Sequence, residues 1–178
     1  MTFLSVYTPT YRRPFLLALC KTSVAAQTLA CEHVIVEDKV GIGIAGVYAA
    51  VPDHAHKVTG EYVMVLSDDN ILADADFAAD LATIAWDNDL PDVIVFKGQI
   101  ETTTQPAAWC CEPIETMIDL SCFAVRREVW QDNARAWGHR YEGDFDFIHH
   151  LWAEEGYRFH WWDRLGFQAL RISRGAPE

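Results

Sequence analysis

The chain has 178 residues, 51% hydrophobic and 22% charged, which excludes a disordered chain and lets one domain bury a core without disulfides or a structural metal. Its 26 acidic residues against 14 Lys and Arg give a formal charge of -12, which disfavours nucleic acid and anionic lipid as partners but not a diphosphate held by a metal ion and a few local donors. Five cysteines at 20, 31, 110, 111 and 122 fit no zinc-site spacing and read as reduced thiols. No run is apolar for long enough to span a membrane, and the start lacks the pattern of a signal peptide, so a cytoplasmic location is expected.

The elements follow in chain order. Phe3 to Tyr7 (FLSVY) predicts a buried strand stopped by Thr8-Pro9-Thr10. Pro14 suits a first helical turn, and PFLLALCKTSVAAQTL predicts a helix to about Leu29. His33 to Val36 is a second strand, and Glu37-Asp38-Lys39 follows it directly. Residues 40 to 60 are ambiguous, because three glycines and Pro52 weaken any helix. Glu61 to Leu66 predicts a third strand ending at Ser67-Asp68-Asp69-Asn70, Asp74 to Trp86 a helix, and Asp92 to Phe96 a fourth strand. This alternation argues for a mainly parallel sheet covered on both faces.

The second half is less regular. Lys97 to Pro113 predicts a hairpin or long loop, Met117 to Arg126 a strand, and Arg127 to Ala136 a short helix. A loop follows at Gly138 to Gly143, then a helix from Asp144 to Glu155 stopped by Gly156, then a strand over Tyr157 to Trp161. Residues 1–173 are expected to form one domain and 174–178 a frayed tail.

Three constellations can carry chemistry. LSDDN at 66 to 70 delivers two adjacent carboxylates to the end of an apolar strand. That arrangement suits a hard divalent cation gripping diphosphate oxygens, or else a solvated turn. Glu142, Asp144 and Asp146 stand at a loop-to-helix junction, followed by His149 and His150. One carboxylate could act as a general base or Asp144 could only cap the helix; the histidines could contact phosphate or metal, or be structural. Glu37-Asp38 after a buried strand suits a nucleotide base or ribose, or an acidic helix start. Arg12, Arg13, Lys39 and Lys57 could complement phosphates. Gly41, Gly43 and Gly46 match G-x-G-x-x-G, but after the second strand and without an acid placed at a later strand end, so a nicotinamide enzyme is set aside.

From Phe3 to about Phe167 the chain resembles the inverting GT-A glycosyltransferases of family 2. FLSVYTPTYRRPFLLALCKTSVAAQT resembles their opening strand, Pro-Thr-Tyr turn and helix. HVIVEDK resembles the strand and nucleobase acid, GEYVMVLSDDN the metal-binding strand, SCFAVRREVW the strand near the acceptor, and GDFDFIHHLWAEEGYRFHW the late catalytic segment. The resemblance implies a GT-A-like, three-layer α/β/α fold with a mixed, mainly parallel central sheet. It implies transfer of a sugar from a nucleotide-sugar donor, a UDP-sugar by family preference, to an acceptor hydroxyl with Mn²⁺ or Mg²⁺. Pro9, Tyr11, Arg12, Glu37, Asp38, Lys39 and Asp68 then fall on the donor, with Asp69 and Asp68 on the metal. Asp144 is the general base, with Glu142 and Asp146 its rivals, and His149 and His150 are further phosphate or metal contacts. Ser67 stands where the family has an acid, and Gly143 where it has Glu. GIGIAGVYAAV is apolar where the family places a polar residue near the donor. Many members carry C-terminal extensions, so the acceptor here would be held by the compact core, a partner or a second copy. The competing reading is a non-catalytic nucleotide- or sugar-binding module; an enzyme acting on nucleic acid is a third, disfavoured by the charge.

Overall fold

The first strand outruns its apolar segment. β1 covers Leu4–Thr10, so Pro9 lies inside it. The carbonyl of Tyr7 accepts from the N–H of Leu66, and Pro9, two residues on, faces the same side. The β1–β3 pairing ends at Tyr7 and Val65, so proline's missing donor falls where no neighbour needs it. α1 (Pro14–Ala25) opens on Pro14 and ends before Leu29. Just beyond it, the buried amide of Gln27 donates to the carbonyl of Asp74 and accepts from the N–H of Ala78, tying the end of α1 to the next helix instead of prolonging it.

β2 (Glu32–Glu37) runs parallel to β1. The ambiguous stretch resolves into α2 (Gly43–Ala49), α3 (Val51–His54) and a 3-10 turn at Ala55–Lys57; Pro52 sits in the first turn of α3, where its missing N–H does no harm. β3 (Tyr62–Val65) is fully buried. A short strand that sequence reading did not separate, β4 (Asn70–Leu72), follows the acidic loop, and α4 covers Phe77–Asp87. β5 (Val93–Ile100) and β6 (Thr103–Gln105) make a hairpin, one of the two forms expected for the stretch from Lys97.

The expected strand at 117–126 is a 3-10 turn, Leu120–Cys122, feeding a shorter β7 (Phe123–Arg126). α5 (Arg127–Asp132), a second 3-10 turn (Ala134–Trp137), α6 (Gly143–Ala153) and a long β8 (Phe159–Ala169) complete the chain. The computed structural model describes residues 2–154 and 156–170; the expected tail at 174–178 and Glu155, the last residue of the expected late helix, lie outside them.

The sheet order is β2-β1-β3-β7-β5-β8-β4, with β6 on β5. Three pairings are parallel and four antiparallel, so the sheet is mixed but not mainly parallel as expected. Two of the antiparallel pairings come from β7, a late strand that inserts between β3 and β5; the other two pair β6 with β5 and β4 with β8. Strand–helix alternation in the first hundred residues carries no sign of that insertion. The parallel β1, β2 and β3 end at one edge of the sheet, and β7 begins there.

Under that edge lies an aromatic cluster. Trp137 stacks on Phe147 at 4.6 Å between centroids and meets Trp130 edge-on at 5.3 Å, with Phe123 beside them. These rings anchor α6 through Phe147 and so set where the acids at its start can lie. Of the seven tryptophans, Trp130 and Trp137 are fully buried among the described residues, and Trp109, Trp161 and Trp162 pack, partly buried, against the core.

Candidate functional site

At the end of β3 the chain turns through Ser67-Asp68-Asp69-Asn70, closed by a bond from the N–H of Asn70 to the carbonyl of Ser67. Asp68 is only 5% exposed. It accepts from the Thr10 hydroxyl at 2.7 Å and from Arg13 at 3.1 Å, which joins the ends of β1 and β3. Burial pushes the Asp68 carboxyl above its ordinary range, against the opposite pull of Thr10 and Arg13. The same guanidinium nitrogen lies 3.1 Å from Asp69, whose side chain is 41% exposed. Asp69 is therefore the member of the pair that a bound ligand can reach.

Beside them, Asp38 leaves β2 and accepts from the N–H groups of Val40, Gly41 and Ile42 at 2.9, 2.8 and 2.7 Å. Desolvation pushes this carboxyl up, but the three donors together outweigh it and hold it below its ordinary value. The acidic turn before α2 is thus a structural duty of Asp38 whatever else it binds. Tyr11 lies against this turn. Gly41 has φ +81°, which favours glycine, and a Cβ there would sit 2.7 Å from the Tyr11 hydroxyl, so Tyr11 would have to shift. Arg12 stands over the Tyr11 ring at 5.1 Å, Glu37 pairs in register with Thr10, and Pro9 pairs with Val36. Lys39 is exposed. Pro9, Tyr11, Arg12, Glu37, Asp38, Lys39, Asp68 and Asp69 thus gather at the ends of β1, β2 and β3. The expected polar contact in the following stretch is replaced by exposed Val40, Ile42 and Ile44.

The acids at the start of α6 separate by partner. Asp146 takes Arg140 Nε on both oxygens, at 3.0 and 2.8 Å, and Glu142 lies 3.3 Å from the same guanidinium, which also bonds Glu115. Asp144 has no ion pair among the described residues. Its carboxylate accepts from the N–H of Phe145 at 2.9 Å. Burial, aided by the charge of Asp119 and opposed by backbone N–H donors, pushes it up to about 7.

His149 bonds Glu112 at 2.9 Å and lies 5.1 Å from the Phe145 ring, and His150 bonds Asn133 at 3.0 Å.

Gly143 has a steric explanation. A Cβ there would lie 2.2 Å from the Trp137 carbonyl and 2.5 Å from the Tyr48 ring, so no side chain fits between α2 and the start of α6. Gly143→Ala is expected to destabilise the chain by about 1–3 kcal/mol through overpacking, read as a lower midpoint in thermal or urea denaturation. An unchanged midpoint would show that this junction yields freely.

Sequence reading overlooked Asp119. It caps the 3-10 turn Leu120–Cys122 by accepting from the N–H of Ser121 at 2.8 Å. Ser121 is buried and accepts from the Asn70 amide at 3.1 Å, so this turn holds the acidic loop. Burial raises the Asp119 carboxyl, and the charge of Asp69 adds to the rise. An Asp two residues before a Ser-Cys pair was the available signal, hidden inside a stretch that reads as continuous strand.

Among the described residues, no group of three or more His, Cys, Asp or Glu side chains could hold a metal ion. Asp68 and Asp69 offer two carboxylates, one of them buried against Thr10 and Arg13. A hard cation taking about six oxygens would need most of them from a ligand and water. The residues fit an ion that arrives with a diphosphate, not one bound by protein alone.

No family model and no curated protein sequence matches the chain. The fold is similar to the crystal structure of S. aureus TarS 1-349, with TM-score 0.67 at 16% identity over 94% of this chain and 60% of that one. The same protein in complex with UDP-GlcNAc gives TM-score 0.66 at 16% identity over 97% and 59%. A197 from STIV gives 0.56 at 16% identity over 91% and 82%. The chain thus spans about three fifths of the TarS 1-349 structure. At these identities the likeness establishes the fold: an α/β domain, broadly GT-A-like, with helices packed around a mixed sheet.

Proposed function

We propose that this chain is a metal-dependent inverting glycosyltransferase of the family 2 kind, built as one domain with helices layered on both faces of the sheet. It moves a sugar from a nucleotide-sugar donor to an acceptor hydroxyl. The observation that carries the reading is the division of labour among acids. Asp38, Asp68 and Asp69 gather at the ends of β2 and β3, while Asp144 stands on a different element, without an ion pair among the described residues. An inverting transfer needs that separation, because the acceptor attacks from the face opposite the leaving diphosphate. UDP is the proposed nucleotide, by family preference and because TarS 1-349, similar in fold, is solved with UDP and with UDP-GlcNAc.

In this reading Tyr11, Arg12, Glu37, Asp38 and Lys39 frame the nucleotide. Asp69, with Asp68 behind it, would hold Mn²⁺ or Mg²⁺, whose charge offsets that of the departing diphosphate. Arg13 keeps the two carboxylates compensated when no ligand is there. Asp144 takes the proton of the attacking hydroxyl. Glu142 and Asp146, both on Arg140, are poorer bases for the same step.

The competing reading, a binding module without catalysis, draws on the same Arg13, which satisfies Asp68 and Asp69 without any ion. Two measurements separate the readings. UDP titrated by calorimetry is expected to bind at least tenfold more tightly with Mn²⁺ than with chelator. UDP-GlcNAc or UDP-glucose, incubated with the chain and Mn²⁺, is expected to be hydrolysed slowly to UDP. Binding without release of UDP, with or without candidate acceptors, would favour the module.

A further inference from the structure

Arg13 is joined to the acidic loop by a single nitrogen. Its Nη1 donates to Asp68 Oδ1 at 3.1 Å and to Asp69 Oδ2 at 3.1 Å, so it stands between the two carboxylates assigned above to the metal. Those two bonds use both Nη1 hydrogens. The Nε–H and the two Nη2 hydrogens form the edge of a guanidinium that grips phosphate two-pronged, and here they have no hydrogen-bond partner among the described residues. The backbone of Arg13 is fixed, because its carbonyl accepts from the N–H of Leu17 at 2.9 Å and Pro14 opens α1 directly after it. The side chain is half-exposed, so the guanidinium can leave the acids by rotation of its own bonds while the helix start stays in place. The Thr10 hydroxyl remains on Asp68 at 2.7 Å from the other side, through Oδ2.

We propose that Arg13 is an exchangeable counter-ion of the acidic pair. It yields its position between Asp68 and Asp69 when a divalent cation arrives with a nucleoside diphosphate, and it passes to the diphosphate oxygens. The inference rests on the transferase reading for the metal and the donor. Its physical basis is steric and electrostatic. A hard cation shared by the two carboxylates lies about 2 Å from each oxygen, in the space that Nη1 takes at 3.1 Å from both. Two positive groups do not share that space. The guanidinium competes for the same oxygens, so a metal ion by itself binds weakly. A diphosphate changes the balance, because it gives the cation further oxygens and gives the displaced guanidinium acceptors for its unspent N–H groups. Metal and nucleotide then bind cooperatively, with Arg13 as the element that couples them. The buried Asp68 is compensated at both stages, first by Arg13 and then by the ion.

Arg13→Gln and Arg13→Lys, made in the full chain, test this with Mn²⁺ alone as the probe, followed by electron paramagnetic resonance at pH 8. Glutamine removes the charge and lysine keeps it. Arg13→Gln is expected to bind Mn²⁺ alone roughly tenfold or more tightly than wild type, and Arg13→Lys within about threefold of wild type. Adding Asp69→Asn to Arg13→Gln should abolish the gain, which places the ion at the pair. The factor by which Mn²⁺ tightens UDP, read by calorimetry, should be smaller in Arg13→Gln than in wild type. A second measurement needs no variant: in the wild-type chain the Arg13 Nε–H, followed by nitrogen NMR, should shift on adding Mg²⁺ and UDP together and stay unmoved with Mg²⁺ alone. Unchanged Mn²⁺ affinity in Arg13→Gln overturns the proposal, and so does a gain that survives Asp69→Asn. An equal gain in Arg13→Lys also overturns it, because a loosened loop would then explain the result and an uncovered charge would not. So does an Arg13 Nε–H that stays unmoved when Mg²⁺ and UDP bind. A wild-type chain that binds no UDP with either metal sinks the transferase reading instead, and the comparison with Mn²⁺ alone then decides the role of Arg13 by itself.

Discussion

Asp144→Asn is expected to remove most sugar transfer, by roughly 10²- to 10⁴-fold, while UDP affinity in the presence of Mn²⁺ stays within about twofold of wild type. A hydroxyl is a weak nucleophile, and the amide cannot take its proton. The nucleotide contacts lie on other elements, at the ends of β1, β2 and β3. The pH behaviour is part of the expectation. With a carboxyl pushed up to about 7, only the ionised fraction acts as base, so kcat/KM should climb with pH through about 7 and then level. Burial disfavours the charged form of the native chain relative to the unfolded one. The native state therefore holds the Asp144 proton over a window from the ordinary Asp value to about 7, and stability from this group is lost as pH rises through that window. Asp144→Asn removes the loss, so the variant should melt higher than wild type at pH 8 while the two converge near pH 4. A variant that transfers at the wild-type rate would remove Asp144 as the base and turn attention to Glu142 and Asp146. One that is inactive and also loses UDP would mean that the helix start itself has collapsed.

Asp69→Asn is expected to weaken both donor binding and turnover. Asp69 is the reachable carboxylate of the pair, while Asp68 is fixed by Thr10 and Arg13. Losing it leaves an arriving cation with one buried protein ligand. The loss in turnover should be on the order of a hundredfold, equivalent to about 2.7 kcal/mol of charge stabilisation at the diphosphate. The gain in UDP affinity on adding Mn²⁺ should largely vanish, which separates this variant from Asp144→Asn. Calorimetry of UDP with and without Mn²⁺ on the variant reads it directly. A full Mn²⁺ effect retained in Asp69→Asn would move the ion elsewhere. Weakened binding that is the same with chelator would instead point to Arg13, freed from one of its two partners, as the disturbed contact.

Local order along the chain was legible from residue pattern alone. Short β-branched and aromatic runs made β1, β2, β3 and β5, Pro14 opened α1, and an apolar run delivered Asp68 and Asp69 to the end of a strand. These features depend on contacts a few residues apart, where propensity and periodicity act. The order of segments from FLSVYTPTYRR to GDFDF also carried the resemblance that named the candidate acids. What pattern could not carry was anything decided by distant partners. β7 inserts antiparallel between β3 and β5, and β4 and β6 also pair antiparallel, so a sheet that reads as mainly parallel is mixed. β4 is a strand only because β8 pairs with it. Gly143 reads as a missing glutamate until Trp137 and Tyr48 close on it. Glu142, Asp144 and Asp146 are equivalent as letters, but Arg140 takes two of them, and burial beside Asp119 raises the third. Desolvation and charge fall off over a few ångströms in space, not along the chain. The kinds of residue at this site were therefore written in the sequence, and the protonation and partner of each were decided by the fold.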